Sequence, residues 1–171
     1  MITRPFAQTL YRIHNPRWAY LPTSGAGAAK HGGRANRPGV EALYLSSDVD
    51  TALAEYQQAA PVLPPGTIVS YTVSLSKIAD FSAGFQSAHW HPIWEDFFCD
   101  WRKLVLDKIE PPSWVASDQI MAAECRGLLF PSVVRNGGLN LVVYNGSLTG
   151  GDTLQVNDPN GDLPSDQASW R

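Results

Sequence analysis

Residues 32–55, GGRANRPGVEALYLSSDVDTALAE, decide how the rest of the chain reads. The Gly32-Gly33 pair permits positive φ and a close backbone approach to a ligand. Pro38-Gly39 is a turn signal, with proline pre-setting φ and glycine accepting the left-handed region. Side chains then alternate over 41–46: Leu43 and Leu45 share one face, and Ala42, Tyr44 and Ser46 share the other. Two leucines mark the core side, so Tyr44 and Ser46 look the opposite way. Ser47 or Asp48 caps a helix, and Asp48 and Asp50 suit the positive end of its dipole. Val49, Ala52, Leu53 and Tyr56 form its apolar stripe. Glu55 falls roughly 110° from the middle of that stripe on a 3.6-residue period, a border position that can face a cleft. Pro61 stops the helix. A cation (Arg34), a phenol (Tyr44) and a carboxylate (Glu55) thus come from an adjoining loop, strand and helix, although spacing alone names no reaction.

Upstream, residues 7–13 alternate as a strand, with Leu10 and Arg12 on one side and Tyr11 and Ile13 on the other. Arg12 reads either as a strand-surface arginine or as a pocket cation. Residues 14–30, rich in Gly, Ala and Pro, read as a loop in which Trp18 and Tyr20 pack, and His31 reads as a polar loop residue. Downstream, 67–75 is a strand with Val69, Tyr71, Val73 and Leu75 facing the core and Ser70, Thr72 and Ser74 facing water, an antiparallel-type pattern. Residues 79–92 read as irregular. His89 and His91 lack a nearby carboxylate or cysteine and make a poor metal site. A long amphipathic helix is expected over 92–107, ended by Pro111-Pro112, then a second helix capped by Ser117 and running to Glu124. Residues 128–134 form a strand that Pro131 marks as an edge or a bulge. Asn136-Gly137-Gly138 is a turn, 139–144 a buried strand, and 152–156 a further short strand. One α+β domain over 1–156, a single compact unit with mixed or antiparallel sheets and flanking helices, followed by a polar tail over 157–171, is the resulting expectation.

Composition bounds the partners. The chain has 171 residues, 44% hydrophobic and 17% charged, enough for one domain with a core of its own. A net charge of −3 gives no global attraction to nucleic acid or anionic membrane, and no helix-turn-helix pattern is present. Cys99 and Cys125 have neither metal nor redox spacing and read as reduced thiols. The N-terminal residues MITRPFAQTLYRI lack a signal-peptide core, and no run approaches a membrane span, so a cytoplasmic protein is expected.

Taken together, Tyr11-Arg12, Gly25-Ala26, the run Gly32-Gly33-Arg34-Ala35-Asn36, Tyr44-Leu45-Ser46, the helix carrying Glu55, and Ser132 in Phe130-Pro131-Ser132-Val133 resemble the signature of the RES-domain family. The likeness spans about residues 10–145. Ala35 stands where the family has tryptophan, which removes an aromatic surface beside the loop, and LNLVVYNGSLTGG replaces the usual C-terminal ending. The resemblance implies a fold like that of ADP-ribosyltransferase toxins. It implies a toxin of a bacterial toxin–antitoxin pair with NAD⁺ as substrate and no metal. It also implies an antitoxin partner with a helix-turn-helix part and a toxin-binding C-terminal region.

On this reading Glu55, Arg34 and Tyr44 are the catalytic candidates, and Arg12, Arg34, Tyr44, Ser46 and Ser132 the nucleotide-binding ones. Arg34 would hold phosphate through charge-assisted hydrogen bonds. Tyr44 would stack on nicotinamide or its ribose, and Glu55 would stabilise the positive charge developing on that ribose. The two sequence departures favour ADP-ribose transfer to a cellular protein. The alternatives are NAD⁺ hydrolysis or phosphorolysis and, in a different class, a non-catalytic partner-binding module.

Overall fold

The computed structural model describes residues 1–58 and 60–168. Its chain order is β1 (Thr3–His14), α1 (Ala26–His31), β2 (Ala42–Ser46), α2 (Val49–Gln57), β3 (Thr67–Asp80), α3 (Trp101–Leu106), α4 (Pro112–Ala122), β4 (Gly127–Pro131), β5 (Leu139–Tyr144) and β6 (Thr153–Val156). The six strands run β1-β2-β5-β4-β3-β6, and β1 also pairs along its length with β3, so the first five close into a ring. The pairings are antiparallel except β3 with β4, which gives the mixed α+β architecture expected from the element order.

Alternation sorts the side chains into two cores. Leu43, Leu45, Leu141, Val143 and Leu129 join Phe6, Leu10, Val69, Tyr71 and Val73 on one face of the sheet. Val142, Tyr144, Leu128 and Phe130 point the other way, into Phe81, Trp90, Trp94, Phe97 and Ile120. Strands β4 and β5 are thus covered on both sides, which is why they read as near-continuous apolar runs. Each fully buried leucine or phenylalanine contributes about 1.5–3 kcal/mol. Phe81 sits at the hub of the second core, 4.9 Å from the rings of both Trp90 and Trp94.

Several local expectations are corrected. Strand β1 begins at Thr3 and β3 runs on to Asp80. The segment 14–30 contains a 3₁₀ turn at Pro16–Trp18 and most of α1, and Trp18 is exposed. Asp48, not Ser47, caps α2 by accepting from the Thr51 amide. That helix buries Thr51 and Ala52 and leaves Val49 exposed. It ends at Gln57, before Pro61, where Gln58 takes a φ of 45°. The long helix over 92–107 is broken into a 3₁₀ turn at Pro92–Asp96 and the short α3 capped by Asp100. Between them the carbonyls of Phe97 and Cys99 accept from Arg34 instead of continuing a helix. Pro112 opens α4 rather than closing a helix. Ser117 lies inside α4 and donates to the Ser113 carbonyl, so it is not a cap. Pro131 is neither on an edge strand nor at a bulge. It is the last residue of β4, which lies between β5 and β3.

The polar segment after β6 is tied back to β3. The Asn157 amide donates to the Ser70 carbonyl, and the Thr72 hydroxyl donates to Asn157 Oδ1. Among the described residues, no helix is long and apolar enough to cross a membrane.

Candidate active site

The cleft floor follows from strand register. Tyr11 on β1 pairs with Ser46 on β2, Ser46 with Asn140 on β5, and Asn140 with Phe130 on β4. Residues directly opposite each other share a face, so these side chains form one row across the strands. All line a cavity of about 690 Å³, together with Arg12, Arg34, Tyr44 and Glu55. Trp101 and Arg102 of α3, His31 of α1, and Val133-Val134 complete its walls. Of the six residues singled out from the sequence, the fold brings five into the cavity lining. The sixth, Ser132, stands behind Glu55.

The GGRAN loop is held by its neighbours in detail. Gly32 has a φ of 73° and closes α1 by donating to the Ala28 carbonyl. A Cβ on Gly33 would lie 2.4 Å from the Tyr44 hydroxyl, so only glycine fits. That hydroxyl accepts from the Ala35 amide at 2.9 Å and donates to Asn36 Oδ1 at 2.7 Å. Asn36 in turn donates to the carbonyls of Ala28, Arg37 and Val40. Trp114 Nε1 holds the Gly33 carbonyl at 2.8 Å. Burial raises the Tyr44 pKa, keeping the phenol a hydrogen-bond donor. Tyr44 therefore uses its hydroxyl to shape the loop and offers only its ring to the cleft.

Ala35 is fully buried in the aromatic core, where its carbonyl accepts from Tyr144 Oη. It is not part of the cleft wall. The expectation that losing the family tryptophan strips an aromatic surface from the site is corrected: this position faces inward.

Arg34 Nη1 donates to the carbonyls of Phe97 at 3.2 Å and Cys99 at 2.8 Å. Its guanidinium also lies 5.8 Å from the Phe98 ring centroid. Arg12 Nη1 donates to the Tyr44 carbonyl at 3.2 Å. Neither arginine forms an ion pair with a carboxylate among the described residues. Burial lowers both guanidinium pKa values, yet arginine stays charged. Two desolvated cations thus face one cavity with only carbonyl partners, an arrangement that favours an anionic ligand.

Glu55 is fixed through one oxygen. Its Oε1 accepts from Ser132 Oγ at 2.7 Å and from Asn140 Nδ2 at 2.5 Å. Ser132 Oγ also accepts from the Val134 and Arg135 amides, and Ser46 Oγ donates to Asn140 Oδ1 at 2.9 Å. Sequence reading missed Asn140; the available signal was a lone amide inside the apolar run LNLVVY. Among the described residues, no group of three or more His, Cys, Asp or Glu is arranged to hold a metal ion.

The RES domain profile matches residues 9–166. The chain belongs to the RES-domain family. No curated protein matches its sequence. Among solved structures it is similar to a chain in the crystal structure of the Mycobacterium tuberculosis MbcT–MbcA toxin–antitoxin complex. The TM-score is 0.61 and the identity 21%, over 91% of this chain and 84% of that one. At that identity the likeness establishes the RES fold.

Proposed function

We propose that this RES-domain protein is a toxin enzyme that cleaves the bond between nicotinamide and ribose in NAD⁺. One observation carries the reading: a carboxylate held by one oxygen shares a single cleft with two desolvated arginines that have no carboxylate partner among the described residues. The arginines match a pyrophosphate. Nicotinamide leaves as a neutral molecule, taking the electron pair of the C–N bond and needing no proton. The positive charge left at the ribose carbon is then met by Glu55, as in glycoside cleavage. The Tyr44 ring and the cleft aromatics supply flat surfaces for the nicotinamide.

For the acceptor of ADP-ribose, a cellular protein remains the first reading. Its support is a cleft rim with exposed apolar side chains, Val133 at 58% and Val134 at 44%, suited to contact another protein surface. Water or inorganic phosphate is the second reading. It is favoured by cleft walls that carry Arg12, Arg34 and Arg102 against one carboxylate, Glu55, and the inward position of Ala35 removes one reason for preferring a protein.

The partner follows from the same proposal. The similar solved structure is a toxin–antitoxin complex, which supports an antitoxin with a helix-turn-helix part and a toxin-binding C-terminal region for this chain too.

Incubation with NAD⁺ alone, with and without phosphate, and then with cell lysate separates the acceptors. NAD⁺ loss by the pure protein indicates water or phosphate, and a labelled protein band that requires lysate indicates transfer. Glu55→Ala is expected to remain folded, to consume no NAD⁺ and to lose toxicity. Consumption at the wild-type rate by Glu55→Ala would overturn the assignment.

A further inference from the structure

Asn140 is a buried amide in a strand whose other inward residues are apolar. A buried amide is costly unless both of its ends are paired, and here both are. Ionised Glu55 can only accept, so the amide nitrogen must face it. The amide oxygen then faces Ser46, whose hydroxyl donates to it. Ser46, Asn140 and Glu55 thus form a directed chain from β2 through β5 to α2, and Ser132 clamps the same Glu55 oxygen from the turn after β4. Both protein donors converge on Oε1, leaving Oε2 without a protein partner among the described residues.

Resting on the proposed role of Glu55, we infer that Asn140 is a positioning residue. It pins Glu55 by Oε1, with Ser46 orienting the amide, so that Oε2 is the oxygen presented to the ribose. Ser46 therefore acts through Asn140, its hydroxyl being spent on the amide. Without Asn140 the carboxylate keeps only the Ser132 bond and can swing about it. A misplacement of order 1 Å costs about 10²-fold in rate.

Replacing Asn140 by aspartate gives a test that simple loss of structure cannot imitate. The aspartate is isosteric, but its oxygen would lie against Glu55 Oε1 where the amide nitrogen now sits at 2.5 Å. Two carboxylates so close share one proton and titrate as a pair. While the pair holds that proton, the acid donates to Glu55 as the amide does. Once the proton leaves, the two charges repel and Glu55 is displaced.

The experiment measures NAD⁺ consumption against pH for wild type, Asn140→Asp, Asn140→Leu and Glu55→Gln, with circular dichroism at each pH to follow folding. Asn140→Asp is expected within about threefold of wild-type kcat near pH ~6 and to fall about 10²-fold by pH ~8.5, with the wild type flat over that range. Asn140→Leu should be down about 10²-fold in kcat throughout, with KM changed by less than about threefold. Activity of Asn140→Asp at low pH shows that the variant folds, so its alkaline loss reports Glu55 geometry. A wild-type pH profile in Asn140→Asp overturns the inference, as does wild-type kcat in folded Asn140→Leu. If Glu55→Gln is inactive in those cases, the proposed function survives without this inference. If wild type consumes no NAD⁺, or Glu55→Gln consumes it as fast, the proposed function fails and takes the inference with it.

Discussion

Arg34 and Arg37 stand three positions apart in one loop and meet opposite surroundings. Arg37 donates to both oxygens of Asp118 and to Glu110, and lies 5.8 Å from the Trp114 ring centroid. These carboxylates raise its pKa. Arg34 also lies 5.8 Å from a ring centroid, that of Phe98, but among the described residues its hydrogen bonds go to backbone carbonyls and none to a carboxylate, and burial lowers its pKa. The contrast separates a clamp from a ligand site. An arginine with its carboxylates already in place fastens the loop to α4. An arginine desolvated without one keeps its charge available, a cost the fold bears at the cleft.

Substituting each arginine should break or sharpen that contrast, and this is the largest effect expected. Arg34→Ala is predicted to lower kcat/KM for NAD⁺ by about 10²–10³-fold, the usual loss when a preorganised charge donor is removed. Its unfolding free energy should stay within about 1 kcal/mol of wild type, because the bonds to the Phe97 and Cys99 carbonyls are lost together with the burial cost of the cation that they offset. Arg37→Ala should do the reverse. Activity should stay near wild type while stability falls by about 1 kcal/mol, since its partners are substantially solvent-exposed. Steady-state kinetics and urea unfolding on both variants check this. Equal losses of activity would erase the distinction between clamp and site.

Only the cleft side of that contrast was legible in the sequence, because Arg34, Tyr44, Ser46 and Glu55 lie within one loop–strand–helix run, whereas the carboxylates that meet Arg37 lie 73 and 81 positions away. Period-two alternation fixes which face of β2 meets the cleft, and helical period sets the angle of Glu55. What was not legible depends on partners far along the chain. Asn140 reads as an interruption of an apolar strand until Glu55, 85 positions away, is brought against it. The helix expected over 92–107 has a good apolar stripe. Its middle carbonyls turn instead to Arg34, 63 and 65 positions away, and no local pattern announces that competition. Ala35 read as a lost aromatic surface beside the loop because the family carries tryptophan at this position. Its amide and carbonyl are taken by Tyr44 and Tyr144, and that turns its methyl group into the core.

The middle-sized effect concerns what keeps Arg34 in place. Tyr44→Phe preserves the ring facing the cleft but removes the hydroxyl shared by the Ala35 amide and Asn36. Both groups then lose a buried partner, which costs about 2–3 kcal/mol. With the loop loosened, KM for NAD⁺ should rise several-fold and kcat should fall less. A variant with wild-type stability would show that the hydroxyl does not organise the loop. A kcat loss as large as that of Arg34→Ala would make Tyr44 a participant in the chemistry.

The smallest effect extends the contrast to a group that answers burial by giving up its charge. His14 is buried; its Nε2–H donates to Tyr71 Oη at 2.6 Å, and the Tyr71 hydroxyl donates to the Pro22 carbonyl. Burial first, and the Arg12 cation second, bring its pKa down to about 4. The unfolded chain takes up this proton near pH ~6.5 and the folded protein does not. His14 therefore adds no penalty above pH ~6.5, and stability is lost as pH falls from there towards the folded value. Between pH ~7 and pH ~5 the loss is about 2 kcal/mol. Urea unfolding at the two pH values should show it, and His14→Gln should flatten the dependence. In Arg12→Gln the imidazole should titrate at a higher pH, because one of the two causes of the depression is gone. An unchanged His14 titration in that variant, read by proton NMR, would mean that Arg12 is screened by a counter-charge, and the picture of an unpaired cation at the cleft would fail there first.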